Sequence, residues 1–325
     1  MTKKHYAGIT LGLSAVLFVL SFLYLPLGME AAYIGHRGLQ ILYSLILGVT
    51  VSILAVFCLV AVTKWDYIKM QWQTFMKFRH LLFLMVKRDF VTRYRRSVLG
   101  VLWSVLNPLL MMLVMTMVFS MLFRHEIPFF PVYLLSGQLF FNFFSESTSQ
   151  AMGSIIGNAN LIKKVYVPKY VFPASRIASS LVNFGFAFIA FLFVQFVTGA
   201  PFHWTILLLP IPLFYTFLFA LGMGMLLSSM AVFFRDISHM YGVLLTLWMF
   251  LTPIMYPVEI LPDRVFQLLH LNPMFHYVTF FRSLALDGVI PGLWANVVCL
   301  GFALLALCVG LYVTMVKQDK YILYI

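Results

Sequence analysis

Charge is what this 325-residue chain has least of: 10% of its residues are charged, and only 10 residues are acidic. A soluble domain carries about a quarter charged residues, so a soluble globular fold is excluded. Paired acids are scarcer still. No D-x-D occurs, the connections read as outer hold only Glu30, Glu126, Glu259, Asp263 and Asp287, and the 8 histidines show no ligand spacing. Acid–base or metal catalysis of the membrane-embedded glycosyltransferase kind is left without its residues. No G-x-x-x-x-G-K-[ST] phosphate loop occurs, nor any polar stretch long enough for a nucleotide-binding domain. The 3 cysteines, Cys58, Cys299 and Cys308, all sit in apolar runs, so no disulfide framework is implied. Long segments of strict polar–apolar alternation are missing too, which argues against a transmembrane β-barrel.

What the chain has is apolar length. Hydrophobic residues make up 62% of it, in runs of the ~20 residues needed to cross a bilayer. Eight spans are predicted: 7–27, 40–62, 100–123, 132–155, 177–198, 206–232, 239–256 and 293–316. With the N-terminus inside, four of the 22 Lys and Arg (Arg37, Arg124, Arg264 and Arg282) fall outside and the rest inside. The positive-inside rule therefore places both termini in the cytoplasm. The +12 net charge reads as topology, not as nucleic-acid binding. The first span reads as an uncleaved helix, because its apolar stretch of about 21 residues exceeds a signal-peptide core and no A-x-A site follows.

The densest positive charge lies in "KRDFVTRYRRSVLGVLW", from Lys87 to Trp103. With helical periodicity over 80–99, Phe83, Val86, Phe90, Tyr94 and Val98 share one side. Arg88, Thr92, Arg95 and Arg96 lie opposite, with Asp89 and Arg93 at the margins. This predicts an amphipathic helix at the membrane interface, with Lys87 snorkelling from the apolar side and Gly100 allowing a turn into the next span. The same pattern suits a simple juxtamembrane cluster that binds anionic lipid.

The order of motifs narrows the choice. "RDFVTRYRRSVLGVLWSVLNPLLMMLVMTMVF" resembles the start of permease subunits of ABC-2-type exporters of polysaccharides and teichoic acids, matching at Ser97, Leu99, Gly100, Leu102, Trp103 and Pro108. "NANLIKKVYVPKYVFPASR" (158–176) is similar to that family's cytoplasmic coupling segment, and "VFFRDI" (232–237) to its cytoplasmic turn. "LTPIMYP" (251–257) and "LNPMFHYVTFFRSLALDG" (271–288) resemble its external gate region. The resemblance implies an all-α polytopic membrane protein. Residues 71–99 would form the interfacial helix region and 100–325 a six-span core, while residues 1–70 depart from the family's six-span plan and read as an added two-span hairpin. It also implies a bacterial plasma-membrane permease half that pairs with a second copy of itself and with two ATP-binding subunits. ATP and Mg would be bound by those subunits, this chain holding no cofactor. The cargo would be a polysaccharide, teichoic acid or lipid-linked glycan.

Candidate sites follow. Asn160, Leu161, Ile162, Lys163, Lys164 and Val165, with Arg88 and Asp89, are expected to couple to the ATPase subunit. Asn158 or Asn160 is a possible cap for the short helix through 161–165, which Pro168 and Pro173 keep from continuing. Arg93, Arg95 and Arg96 suit a lipid or cargo phosphate, because the guanidinium fork matches its oxygens. Trp103, Phe119, Tyr241, Trp248 and Tyr256 are channel candidates whose rings offer flat apolar faces to sugars. Methionines 111, 112, 115, 117 and 121 read as adaptable packing. Glu146, the one acid well inside a span, is expected either to line the channel or to pin helices through Ser145, Ser147 or Thr148. Arg235 and Asp236 are expected to pair. The 36 or so residues after the seventh span are too apolar for a free loop, which predicts two short re-entrant helices broken near Asn272-Pro273. A small-molecule exporter of the same fold and an ion-coupled secondary transporter are the alternatives. A single intramembrane acid is thin support for the latter.

Overall fold

The structure is a computed structural model and describes residues 48, 65–95, 98–123, 127–165 and 167–324. The predicted spans 7–27 and 40–62 thus lie outside the described residues, apart from Gly48. Among the described residues every regular element is helical. A long helix, α1 (Trp65–Tyr94), leads through a turn at Gly100–Leu102 into α2 (Trp103–Phe123). Gly100 has φ +52°, a left-handed conformation that glycine adopts without the Cβ penalty, so the turn expected there is present.

Next come α3 (Phe130–Met152), the short helices α4 (Ser154–Gly157) and α5 (Ala159–Lys164), and α6 (Val171–Thr198). Residues between α5 and α6 leave the helical path around Pro168. Pro173 falls in the first turn of α6, where a missing N–H costs nothing. Then follow α7 (Pro210–Phe233) and α8 (Ile237–Phe250). Two short helices, α9 (Asp263–Leu269) and α10 (Pro273–Ala285), precede α11 (Leu293–Lys317) and the terminal turn α12 (Tyr321–Tyr324).

Among the described residues four segments are long and apolar enough to cross a membrane: 100–119, 171–198, 204–233 and 293–324. The predicted span 132–155 becomes α3, which is central and more polar than the others. The predicted span 239–256 stops at Phe250, leaving a 14-residue helix of about 21 Å, short of the ~30 Å hydrocarbon layer. Pro253 and Pro257 account for the stop. The break between α9 and α10 falls where expected, because Asn272 Oδ1 accepts the Met274 N–H at 3.0 Å and Pro273 opens α10.

The main core lies between α3, α6, α7, α10 and α11 and is rich in phenylalanine. Phe140, Phe144, Phe191 and Phe281 are fully enclosed, and the rings of Phe140 and Phe281 lie 4.9 Å apart. In lipid such contacts stabilise by packing more than by transfer from water, so close fit decides. Helices α7 and α11 show it best: a Cβ on Gly222 would stand 2.2 Å from the backbone carbon of Ala306, and one on Gly310 would stand 2.1 Å from the Gly222 carbonyl oxygen.

Candidate functional site

One seam gathers the ion pairs found among the described residues. On α6, Arg176, Ser179, Asn183 and Phe186 recur at helical spacing and form a stripe facing α1. Arg176 Nη1 lies 2.9 Å from Asp89 Oδ2, while Arg88 Nη2 lies 3.3 Å from Asp89 Oδ1 and Ser179 Oγ donates at 3.4 Å. One turn further along α1, Arg93 Nη1 donates to Glu146 Oε1 of α3 at 2.5 Å. The same oxygen accepts from Gln150 Nε2 at 2.8 Å and from Asn183 Nδ2 at 2.9 Å. Tyr94 bonds Ser104 of α2 and donates to Asn183 Oδ1 at 3.2 Å, and Phe90 stacks on Phe186. A single seam therefore joins α1, α2, α3 and α6.

Of the residues read as the apolar side, Phe90 and Tyr94 face α6, while Phe83 is 62% exposed and Val98, beyond the end of α1, is 103% exposed. Asp89, placed at the margin, is instead half-enclosed against α6. The stripe on α6 mixes polar and aromatic residues, so α1 turns both its ion pairs and Phe90 toward it, and Met85 adds a buried apolar contact. Glu146 does pin helices, but not through its sequence neighbours. Ser145, Ser147 and Thr148 each donate to carbonyls of their own helix, and the carboxylate is held by Arg93, Gln150 and Asn183. Arg93, expected to face phosphate, is engaged by that carboxylate. Arg95 is exposed, and Arg96 lies outside the described residues.

Two cavities flank the seam. The larger, about 700 Å³, receives Trp103, Ser104 and Asn107 from α2 and Gln138, Asn142 and Glu146 from α3. The smaller, about 550 Å³, is bordered by Arg88, Asp89 and Arg176, with Gln150 and Asn158. Arg93 and Asn183 border both, so the Arg93–Glu146–Asn183 cluster is the partition between them.

Beside the smaller cavity, at the end of α3 away from α10, lies the candidate coupling segment. Asn160, Lys163, Lys164 and Val165 are exposed and Leu161 is half-buried. Ile162, expected on the docking face, is only 4% exposed. It packs within the chain in a cluster with Met85 of α1, Ile155 of α4, Phe172 of α6, Val232 of α7 and Tyr321 of α12. Tyr321 is anchored by its hydroxyl, which donates to Ser229 Oγ at 2.6 Å. No side chain caps α5: Asn158 occupies the cap position but donates to Ser154 O at 2.7 Å. Burial pushes the Lys169 ammonium below its ordinary value, an effect that Asp319 opposes. The segment is thus mounted on α1, α6, α7 and the C-terminal turn together.

The channel candidates separate. Trp103 and Glu146 border the larger cavity. Phe119 packs against the main core. Tyr241 is 5% exposed and bonded to Thr148 Oγ1 at 2.6 Å. Trp248 Nε1 donates to Asn272 Oδ1 at 2.6 Å and meets Phe144 edge-on, and Tyr256 donates to Phe250 O at 2.7 Å. These four make contacts within the chain and do not border the larger cavity. Arg235 and Asp236 are exposed and form none of the ion pairs among the described residues.

Two features had a sequence signal that went unread. Gln138, Asn142, Glu146 and Gln150 repeat every four residues along α3, a polar stripe inside an apolar bundle. Arg282, counted as an outer-loop cation, is 8% exposed. Its guanidinium donates to Pro253 O at 2.7 Å, Tyr133 O and Ser136 Oγ at 3.2 Å and Ile254 O at 3.3 Å, and it lies 3.5 Å above the Tyr133 ring.

Comparison with known proteins adds a family. Residues 80–286 match the family described as ABC-2 type transporter. The chain is 34% identical to the O-antigen export system permease protein RfbA of Myxococcus xanthus over 217 residues, 66% of this chain and 84% of that protein. It is 25% identical to the polysialic acid transport protein KpsM of Escherichia coli, over 71% of this chain and 91% of that one. It is also 25% identical to the capsule polysaccharide export inner-membrane protein CtrC of Neisseria meningitidis serogroup B, over 65% and 81% respectively.

Proposed function

The chain belongs to the ABC-2 type transporter family, and on that premise we propose that it is the membrane-spanning permease subunit of an ATP-driven exporter of cell-surface polysaccharide. ATP and Mg are bound by a separate ATP-binding subunit. Two copies of each chain make the working assembly, in the bacterial inner membrane with both termini cytoplasmic. Residues 1–70 add a two-span hairpin to a six-span core, and α9 and α10 dip back into the outer leaflet as a lid.

The observation that carries this reading is the mounting of the coupling segment. A charged, exposed surface at Asn160, Lys163 and Lys164 is backed by Ile162, which is locked to α1, α6, α7 and α12. Displacing α5 displaces four elements at once, including the α1 seam that partitions the two cavities. A push from a soluble partner thereby reaches the membrane helices without the chain hydrolysing ATP. Lipid-linked cargo enters at the inner leaflet, its phosphate meeting Arg95 and Arg96 while Arg93 exchanges Glu146 for phosphate.

The test is transport in vesicles that hold this chain together with an ATP-binding subunit. Glycan movement that requires ATP, persists without ion gradients and stops when the ATP-binding subunit is omitted supports the reading. Movement by the chain alone, or driven by an ion gradient without ATP, overturns it. Neutralising Arg93, Arg95 and Arg96 together is expected to reduce export while membrane insertion is kept. Unchanged export would remove them from phosphate binding.

A further inference from the structure

Gln138 is 7% exposed, yet its Oε1 has no hydrogen-bond partner among the described residues, and the side chain borders the larger cavity. A buried acceptor left unpaired destabilises a fold, and native structures seldom keep one without a reason. Around it the wall has a particular chemistry. Asn107 and Asn142 bring further amides to the same cavity, each able to donate and accept at once, and Trp103 brings a broad aromatic face that is 46% exposed. The floor is electrically balanced, because Glu146 pairs with Arg93. All three hydrogen bonds to that carboxylate go to Oε1. A volume of about 700 Å³ lies within the range of small-ligand pockets.

Amides in a row, one flat apolar face and no net charge match a ring that carries hydroxyls at its edge and C–H groups on its face. We propose that this cavity is a binding subsite for one neutral pyranose unit, with Gln138 and Asn142 bonding its hydroxyls and Trp103 covering its face. The proposal rests on the exporter reading only for the origin of the sugar. The unit is supplied either by the glycan chain or by a glycolipid headgroup.

The test uses the full-length chain in phosphatidylglycerol nanodiscs, labelled with an octyl glucoside that carries a diazirine, with cross-links mapped by mass spectrometry. Labelling is expected within 103–111, 138–146 and 183–187. Gln138→Leu and, separately, Asn142→Leu each lower it at least fivefold. Gln138→Leu also raises the unfolding temperature, since it removes the unpaired acceptor; a merely structural glutamine would lower it. Displacement of the probe by maltohexaose supports the site and assigns it to the glycan chain. Displacement by glucosyl diacylglycerol alone supports it and assigns it to a headgroup. Equal displacement by an alkyl phosphocholine of the same chain length overturns the proposal, as does unchanged labelling of both variants. The ATP-dependent vesicle assay separates the two readings: unaltered labelling with export intact removes the subsite and leaves the exporter. Loss of ATP dependence with sugar-specific labelling does the reverse.

Discussion

Replacing Arg282 should loosen the end of the bundle where α3 begins. Its guanidinium reaches three backbone carbonyls and one hydroxyl, and so ties the start of α3 to the non-helical segment after α8. In Arg282→Met the side-chain volume is nearly kept and the donors vanish. Tyr133 O still accepts from Ser136 Oγ at 2.6 Å, and Pro253 O from the Tyr133 hydroxyl at 3.3 Å, so the Ile254 carbonyl is the one left alone. An unsatisfied buried carbonyl costs about 1–3 kcal/mol and each lost bond to a charged donor about 1.5–3, partly offset because the methionine needs no burial of charge. The net expectation is about 2–4 kcal/mol. Arg282→Lys keeps the charge but not the fork, and should lose about half as much. Gly137→Ala should act in the same direction, since its Cβ would stand 2.9 Å from Arg282 Nη2 and 3.0 Å from Ile254 Cγ2. Denaturant unfolding of the purified protein in micelles, followed by tryptophan fluorescence, measures all three. A lysine variant within about 0.5 kcal/mol of the parent would refute the carbonyl-cage argument.

Three further outcomes are expected. In a double-mutant cycle, Arg93→Gln and Glu146→Gln should couple by about 1–2 kcal/mol, between exposed and buried ion pairs, because both side chains are over one-third exposed. The reversed pair Arg93→Glu with Glu146→Arg should recover at least half of the loss seen in unfolding. Gly222→Val should lower stability by about 1–3 kcal/mol or more, read as a lower unfolding midpoint, since no rotamer avoids the Ala306 backbone. Tyr321→Phe should cost about 1 kcal/mol and Tyr321→Ala about 3–5. Only the alanine variant should speed trypsin cleavage after Lys163 and Lys164, because it empties the cluster that holds Ile162.

Helices and their order were readable because apolar runs and proline breaks are local signals. The turn at Gly100, the break at Asn272-Pro273 and the short helix α5 all came from adjacent residues. The pairings were not readable. Arg93 and Glu146 are 53 residues apart, and nothing near either names the other. The same distance problem hid the partners of α1: periodicity places Asp89 and Arg93 at a margin, and only α6 and α3 supply the groups that hold them. Arg282 was assigned to water by a counting rule that treats every outer cation alike. Short apolar α10 buried it instead, beside carbonyls freed where α8 ends early.

The most direct measurement starts from a chain with Cys58, Cys299 and Cys308 replaced and one cysteine placed at position 163 or 164, assembled with its ATP-binding subunit. The account predicts a cross-link from that position to the soluble subunit that changes in yield when ATP is bound, and no labelling by a membrane-impermeant thiol reagent added outside intact cells. Labelling from outside, or a cross-link yield indifferent to ATP, would contradict it.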